Sequence, residues 1–399
     1  MPNTGDGNLY VSCIDIGQGD CTVIKCPNGF TLMIDCGAKP DLPVTRQRRV
    51  KNEVRQLADK GHIDALLLTH TDGDHYNRVP AIFGFGPETF PRSKVFMPSL
   101  QLGAIYFGNE WANYTVDMFK RWWTKGPLWI RPAGGGVAPI NRFVVDVNRE
   151  SKESNLYIEK EFKGSSYWDV DPEGGRGKRR RVVEPPPPPP PWHTTENPRT
   201  PLQLFDAAKT GGCDIYCLAA NVKPANGLTT TPHGVNTLSV VTLLVFGTHR
   251  ILVAGDATTE TEEFIDEMFD DTWLAADTLR VAHHGSPTSS GDGFVDKVDP
   301  DVAVISAAVE NVYNLPKREI VAKFAKVDVG GDPGLTEDGV AAHPVHAYLD
   351  DRTTVAVPHL VTQRLYHTGS TGTVTFRYDA AGRTRVAWDA TTKAWIDAD

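Results

Sequence analysis

The chain has 399 residues, 40% apolar and 23% charged, with 41 basic against 50 acidic residues for a net charge of −9. This composition excludes a collagen-like or wholly disordered chain. No apolar run approaches the roughly 20 residues of a membrane span, and the acidic balance argues against indiscriminate nucleic-acid binding while leaving room for a local basic patch. The opening MPNTGDGNLYVSCIDIG lacks a basic stretch followed by an apolar one, so no secretory leader is expected and the expected compartment is cytoplasmic. Among the six cysteines, Cys13, Cys21, Cys26 and Cys36 lie in apolar, strand-like segments and read as reduced core thiols. Cys213 and Cys217 have no matching second pair and make a poor structural zinc site.

The first elements are three strands, Leu9–Ile16, Cys21–Cys26 and Thr31–Cys36, punctuated by Gly17-Gln18-Gly19-Asp20 and Pro27-Asn28-Gly29. Asn28-Gly29 suggests a two-residue type I′ hairpin turn, because both central positions of that turn need positive φ. A helix is predicted over Val44–Lys60 from the spacing of Val50, Val54, Leu57 and Ala58, with Gly61 at its C-cap. Ile63–Leu68 is then a buried strand running into Thr69-His70, and the strand, helix, strand order makes the fold α/β.

Periodicity deteriorates between Pro91 and Pro232, which reads as an insertion. This stretch holds Trp122-Trp123, Trp129, the basic Lys178–Arg181 and seven consecutive prolines, Pro185–Pro191. Seven prolines make a stiff polyproline II rod of about 22 Å, a spacer or a ligand for a protein partner. Regular structure returns with strands at Thr237–Phe246 and Arg250–Ala254 and a helix at Glu260–Phe269. Strands at Thr278–Ala282 and Val302–Ile305 and a helix over Pro316–Lys326 follow; a smaller irregular stretch, 327–360, precedes a closing strand near Thr373–Tyr378. The expected organisation is therefore residues 1–90 and 233–399 as two halves of one domain, with 91–232 inserted between them.

The chemistry concentrates in Thr69-His70-Thr71-Asp72-Gly73-Asp74-His75, where two histidines and two aspartates within six residues follow a buried strand. Neutral imidazoles and carboxylates are the donors that hold a divalent ion, and a loop at a strand end can aim them inward. Gly255-Asp256-Ala257 also follows an apolar strand, as does His283-His284-Gly285-Ser286. Three such clusters would converge on one sheet edge, where a buried carboxylate is costly without a cation.

This set resembles the metallo-β-lactamase fold, whose metal loop reads His-x-His-x-Asp-His, and resembles more closely the corresponding domain of ComEC competence proteins, where an aspartate replaces the second histidine. Ile14-Asp15-Ile16-Gly17-Gln18-Gly19-Asp20, Leu32-Met33-Ile34-Asp35-Cys36-Gly37, Asn236-Thr237-Leu238-Ser239-Val240 and Val281–Ser286 are similar to that group's signatures in the same order. The resemblance implies an αββα sandwich with a long insertion and two divalent metal ions, zinc or manganese, with magnesium also compatible. It implies that His70 and Asp72 hold one ion, that Asp74, His75 and either His283 or His284 hold the other, and that Asp256 bridges them. Asp35 would support the metal loop by hydrogen bonds, and Asp20 would be a structural or rim carboxylate. Asp74, Asp256 and His284 form the implied catalytic set. The chain departs from the fold's usual third histidine: Asn236 occupies that place by motif, and His233 lies three residues before it. Tyr313-Asn314-Leu315-Pro316 stands where ComEC domains often have Tyr-Gly-His-Pro. Backbone N–H groups at Gly285-Ser286 are candidates to receive a phosphate oxygen, with Ser286 beside the substrate.

The implied activity is a metal-dependent phosphodiesterase, a nuclease acting on DNA by a metal-activated hydroxide. An alternative is an ester, lactone or phosphoester hydrolase of the same fold; another is a partner-binding module with a vestigial metal site. The Pro91–Pro232 stretch is expected to flank the substrate groove, its tryptophans stacking on bases and its basic residues meeting phosphates.

Overall fold

The protein is described by a computed structural model covering residues 5–58, 61–83, 100–109, 113–115, 141–147, 200–228, 231–325, 343–349 and 365–387, with Ala356 and short strand segments between them. Trp122, Trp123, Lys178–Arg181 and Pro185–Pro191 lie outside the described residues.

Strands β1 (Leu9–Cys13), β2 (Thr22–Lys25) and β3 (Thr31–Ile34) form an antiparallel meander, and β4 (His62–Leu68) and β5 (Gln101–Phe107) extend it in parallel. Asn141–Asp146 and Asn155–Ile158 continue the sheet beyond β5, while Val374–Tyr378, Thr384–Ala387 and Ile396–Asp397 add to it beside β1. A second sheet runs in the order Leu202–Phe205, Cys213–Ala219, Val241–Phe246, His249–Val253, Thr278–Arg280, Val302–Ile305, Leu365–His367. The two sheets share a core that joins Leu9, Val11, Ile34 and Leu67 to Leu243 and Leu252. On the other face of the first sheet, Met33, Leu66 and Leu68 meet Val50, Val54 and Leu57 of helix α1 (Val44–Leu57). β4 is buried on both faces, which is why its Ala65–Leu68 segment is continuously apolar instead of alternating. With helices Thr259–Met268, Asp292–Val298 and Arg318–Phe324 following strands of the second sheet, the architecture is the expected αββα sandwich.

Five strands of the two large sheets come from the 91–232 span that the sequence suggests is an insertion, so these sheets draw on that span directly. Gly103 interrupts the β signal of Gln101–Phe107, yet it suits the site, since a Cβ there would stand 2.4 Å from the Asp64 carbonyl oxygen on neighbouring β4. Within 327–360, His343–Ala347 and Val357–Val361 belong to a separate three-stranded sheet.

Two local expectations are corrected. The β2–β3 connection is a Cys26–Gly29 turn, closed by Gly29 N–H donating to the Cys26 carbonyl at 2.8 Å; only Gly29 has positive φ, at 90°. Pro27 fixes the first central position of that turn and leaves the left-handed position to the glycine after it, so it is not a two-residue type I′ turn. Thr237 does not begin a strand: Pro232–Thr237 is a short helix capped by the Thr231 hydroxyl, and the strand starts at Val241. Threonine at the N-cap with proline next to it is a helix-start signal that outweighs the β-branched residues downstream.

The parallel pairs align their C-terminal ends: Ile34 opposes Leu67, Leu68 opposes Phe107, and Val253 opposes Arg280. Asp35, Thr69-His70, Asp256 and His283-His284 therefore all leave the sheets at one edge. Val240 N–H donates to the Thr69 carbonyl at 3.0 Å and joins the two sheets there. Gly37 seats the first hairpin on the metal loop, because a Cβ at this position would lie 2.3 Å from Asp74 carbonyl carbon and 2.4 Å from His75 nitrogen. Gly37→Ala is predicted to destabilise the fold by about 1–3 kcal/mol through backbone overpacking. Chemical denaturation checks this, and an unchanged midpoint would contradict the close approach.

Candidate metal centre

The loop after β4 turns directly into the one-turn helix α2 (Gly73–Tyr76), which carries Asp74 and His75 inward. Asp35, fully buried, anchors this loop from the end of β3. Its carboxylate accepts from Thr69 N at 2.8 Å, Thr69 Oγ1 at 2.6 Å and His75 Nδ1 at 2.7 Å. Thr69 has one hydroxyl proton and gives it to Asp35, so Thr69 Oγ1 accepts from His70 Nδ1 at 3.0 Å. Ser239 Oγ lies 3.3 Å from the same His70 nitrogen and accepts from Asp256 N at 3.2 Å. His284 Nδ1 donates to the Ser306 carbonyl at 2.6 Å. For all three imidazoles the Nδ1 proton is committed, and the Nε2 lone pair faces the cluster.

These Nε2 atoms surround Asp256. Its Oδ2 is 3.1 Å from His75 Nε2, 3.6 Å from His284 Nε2 and 3.9 Å from both His70 Nε2 and His283 Nε2. Asp72 Oδ2 is 3.9 Å from His70 Nε2, and Asp74 Oδ2 is 3.8 Å from His284 Nε2. Among the described residues three groups have donor atoms mutually within 4.8 Å, His70–His75–Asp256, Asp74–His75–His284 and Asp20–Asp35–His75; Asp20 of the third is already paired with Arg280, which leaves the first two as the groups that could hold a metal ion. Donors about 2.0–2.2 Å from one tetrahedral ion stand roughly 3.4 Å apart, so these spacings suit a divalent cation. The Nε2 atoms of His70, His75 and His284 are buried without a hydrogen-bond partner, as is Asp256 Oδ1. Lone pairs and carboxylate oxygens crowded in this way repel unless a proton or a cation lies between them.

The electrostatics express the same crowding. Burial, together with nearby His75, holds His70 well below its ordinary value, and burial lowers His284 and His283. Burial would lower His75 too, but Asp256 and Asp35 hold it well above the usual range. Burial would raise Asp256, yet His75 and His284 keep it well below the usual carboxylate range. Asp72 is pushed up to about 6 by burial and by neighbouring Asp74.

The two adjacent histidines are separated by backbone. His283, His284 and Gly285 have φ of 48°, 55° and 79°, three successive left-handed residues. For the non-glycine residues this costs on the order of 1–3 kcal/mol each. The turn buries the His284 ring and leaves the His283 side chain 21% exposed, with its Nε2 3.0 Å from Asn236 Nδ2 and its Nδ1 2.8 Å from Thr288 Oγ1. Asn236 thus reaches the cluster through His283, and its buried Oδ1 has no partner. His233 is not brought in; it is half-exposed and its Nε2 lies 3.6 Å from Glu260. Ser286 N–H donates to the His283 carbonyl at 2.9 Å and its hydroxyl bonds Thr288, so that N–H does not await a phosphate oxygen. The tight 283–286 turn consumes it internally.

Sequence reasoning passed over Arg280. This fully buried arginine lies 2.8 Å from buried Asp20, donates to the Gly255 carbonyl and stands 3.9 Å from Asp256 Oδ1. Burial raises the Asp20 carboxyl while Arg280 opposes the rise, which makes Asp20 a structural partner that ties the two halves together beneath the cluster. Breaking such a buried pair typically costs about 3–5 kcal/mol. A cation in the otherwise apolar strand Thr278–Ala282 was the available signal.

Residues 14–84 match the Metallo-beta-lactamase superfamily model. ComE operon protein 3 of Bacillus subtilis is 32% identical over 90 residues, covering 23% of this chain and 11% of that protein. Competence protein ComA of Neisseria gonorrhoeae is 32% identical over 122 residues, covering 28% of this chain and 18% of its own. The chain thus spans less than a fifth of the length of these curated relatives. The metallo-beta-lactamase fold protein YhfI from Bacillus subtilis aligns over 79% of this chain and 92% of its own at 10% identity, with a TM-score of 0.35. With the family match on the metal loop and two sheets converging on that loop, the chain is a metallo-β-lactamase-fold protein that resembles the competence proteins over about a quarter of its length.

Proposed function

We propose that the protein is a metal-dependent phosphodiesterase acting on DNA, with Asp256 shared between two divalent ions. The observation carrying this reading is the set of three buried Nε2 atoms, on His70, His75 and His284, aimed at one carboxylate oxygen. His70 and Asp72 would hold one ion, and Asp74, His75 and His284 the other. His284 is chosen over His283 because its Nδ1 is tied to a backbone carbonyl and its Nε2 has no other use. Bound divalent ions supply a water of lowered pKa and neutralise charge on phosphoryl oxygens. Three carboxylates in the donor set favour harder ions more than an all-imidazole site would, so manganese and magnesium join zinc as candidates.

The chain's own groups do the rest. Asp35 and Thr69 fix the tautomers of His75 and His70, so no reorganisation is needed when substrate arrives. Asp74, only partly buried, would accept a hydrogen bond from the attacking water. His283, held by Asn236 and Thr288 at the exposed side, would face the phosphoryl group. Similarity to proteins named for competence supports DNA over a small ester.

Asp74→Ala combined with His75→Ala is predicted to release most bound divalent metal, read by elemental analysis of the purified protein. Unchanged metal content would remove the 70–75 loop from the site. Asp256→Asn is predicted to lower cleavage of plasmid and single-stranded DNA by more than about 100-fold, beyond the 10–100-fold typical of a supporting residue, with circular dichroism near wild type. Substantial residual cleavage would contradict the shared-carboxylate geometry, and absence of cleavage by the wild-type protein with manganese, magnesium or zinc would contradict the activity itself.

A further inference from the structure

We propose that Arg48 and Lys51 on α1, with Arg78 and Lys39 beside the metal loop, form a track that binds the phosphate backbone of a single nucleic-acid strand and leads it to the His/Asp cluster. This rests on the nucleic-acid reading above and adds the route by which the strand arrives.

In a chain of net charge −9, α1 carries Arg46, Arg48, Arg49, Lys51 and Arg55 against the single acid Glu53. Four of these cations sit in the first two turns, and the first turn has no acidic residue. That end of a helix is its positive pole, so the arrangement opposes the helix dipole and does not serve the helix. Arg46 and Arg49 have a structural explanation, since they lie 3.7 Å and 2.5 Å from buried Asp15. Arg48 and Lys51 do not. Arg48 is exposed with no ion pair among the described residues, and Lys51 reaches the Ala81 carbonyl at 3.3 Å. Burial and the like charge of Arg55 both lower Lys51, a repulsion that a polyanion would relieve.

Arg48, Lys51 and Arg78 border a cavity of about 160 Å³ whose other walls include Ile16, Val44 and Ile82. Val44 is 62% exposed there. Cations beside an apolar hollow match the two faces of a nucleotide chain, charged phosphates and flat bases. Arg78 follows α2 directly and donates to the Lys39 carbonyl, which carries the track to the metal loop. The Lys39 ammonium bonds Tyr313 Oη and offsets part of the rise at Asp72. Asp41 is the opposing charge near Arg78. Four cations against Asp41 and Asp72 still leave a net positive path.

The test is fluorescence anisotropy of a labelled single-stranded oligonucleotide, with chelator present to prevent cleavage, across a salt series. Arg48→Gln with Lys51→Gln should weaken binding about tenfold or more at low salt and flatten the slope of log affinity against log salt by about 1.4, at roughly 0.7 per phosphate contact. Arg48→Glu alone, a fully surface change, should weaken binding in the same direction and keeps the test valid if the double variant unfolds. Wild-type affinity and slope in a folded variant would overturn the proposal. So would loss of binding to anionic phosphatidylglycerol vesicles with oligonucleotide binding unchanged, which would make the patch a membrane contact. Because binding is scored without cleavage, failure of the hydrolytic reading shows separately, as a wild-type protein that binds the strand here and does not cut it when manganese, magnesium or zinc replaces the chelator.

Discussion

The site depends on the crowding of imidazole nitrogens around Asp256 Oδ2. Four histidine Nε2 atoms lie 3.1–3.9 Å from that one oxygen. In a buried setting such an arrangement needs positive charge among the donors. The surroundings do not let the rings turn away. His75 is held by Asp35, His70 by Thr69 and Ser239, His284 by the Ser306 carbonyl, and these partners come from different strand ends. Sheet register thereby sets imidazole orientation, and the cluster cannot relax without moving the strands that carry it.

Much of this was legible in the chain. The His70–His75 loop, Asp256 and the His283-His284 pair each follow an apolar strand, and parallel strands share one C-terminal edge, so convergence follows from pattern alone. Motif spacing could not separate His283 from His284. Their difference lies in three successive left-handed residues that point one ring in and one out. Arg280 and Ser239 escaped notice as site residues because their importance is tertiary: each matters through a partner distant in sequence, Asp20 or His70. His233 shows the reverse error, since proximity in sequence to Asn236 did not bring it to the cluster. The strands between residues 91 and 232 were obscured by Gly103 and by long aromatic and polar tracts, where local pattern is a poor guide to sheet membership.

Charge is distributed with a division of labour. Each buried acid has its cation: fully buried Arg280 faces Asp20, and the more exposed Arg46 and Arg49 reach in to Asp15. Exposed Arg48 on α1 has no ion pair among the described residues to explain it, and the apolar hollow beside it lies next to the segment that carries the metal loop. The fold thus offers a carboxylate-rich cluster suited to hard cations and, close by, a positive surface suited to a polyanion.

The central claim is that the cluster is a divalent-metal centre. Diffraction from crystals grown with manganese, collected with anomalous signal, tests it most directly. The account predicts anomalous peaks about 2.0–2.3 Å from Asp256 Oδ2 and from the Nε2 atoms of His70, His75 and His284. A manganese-loaded crystal with no peak at these atoms, or with its peaks elsewhere, would contradict it.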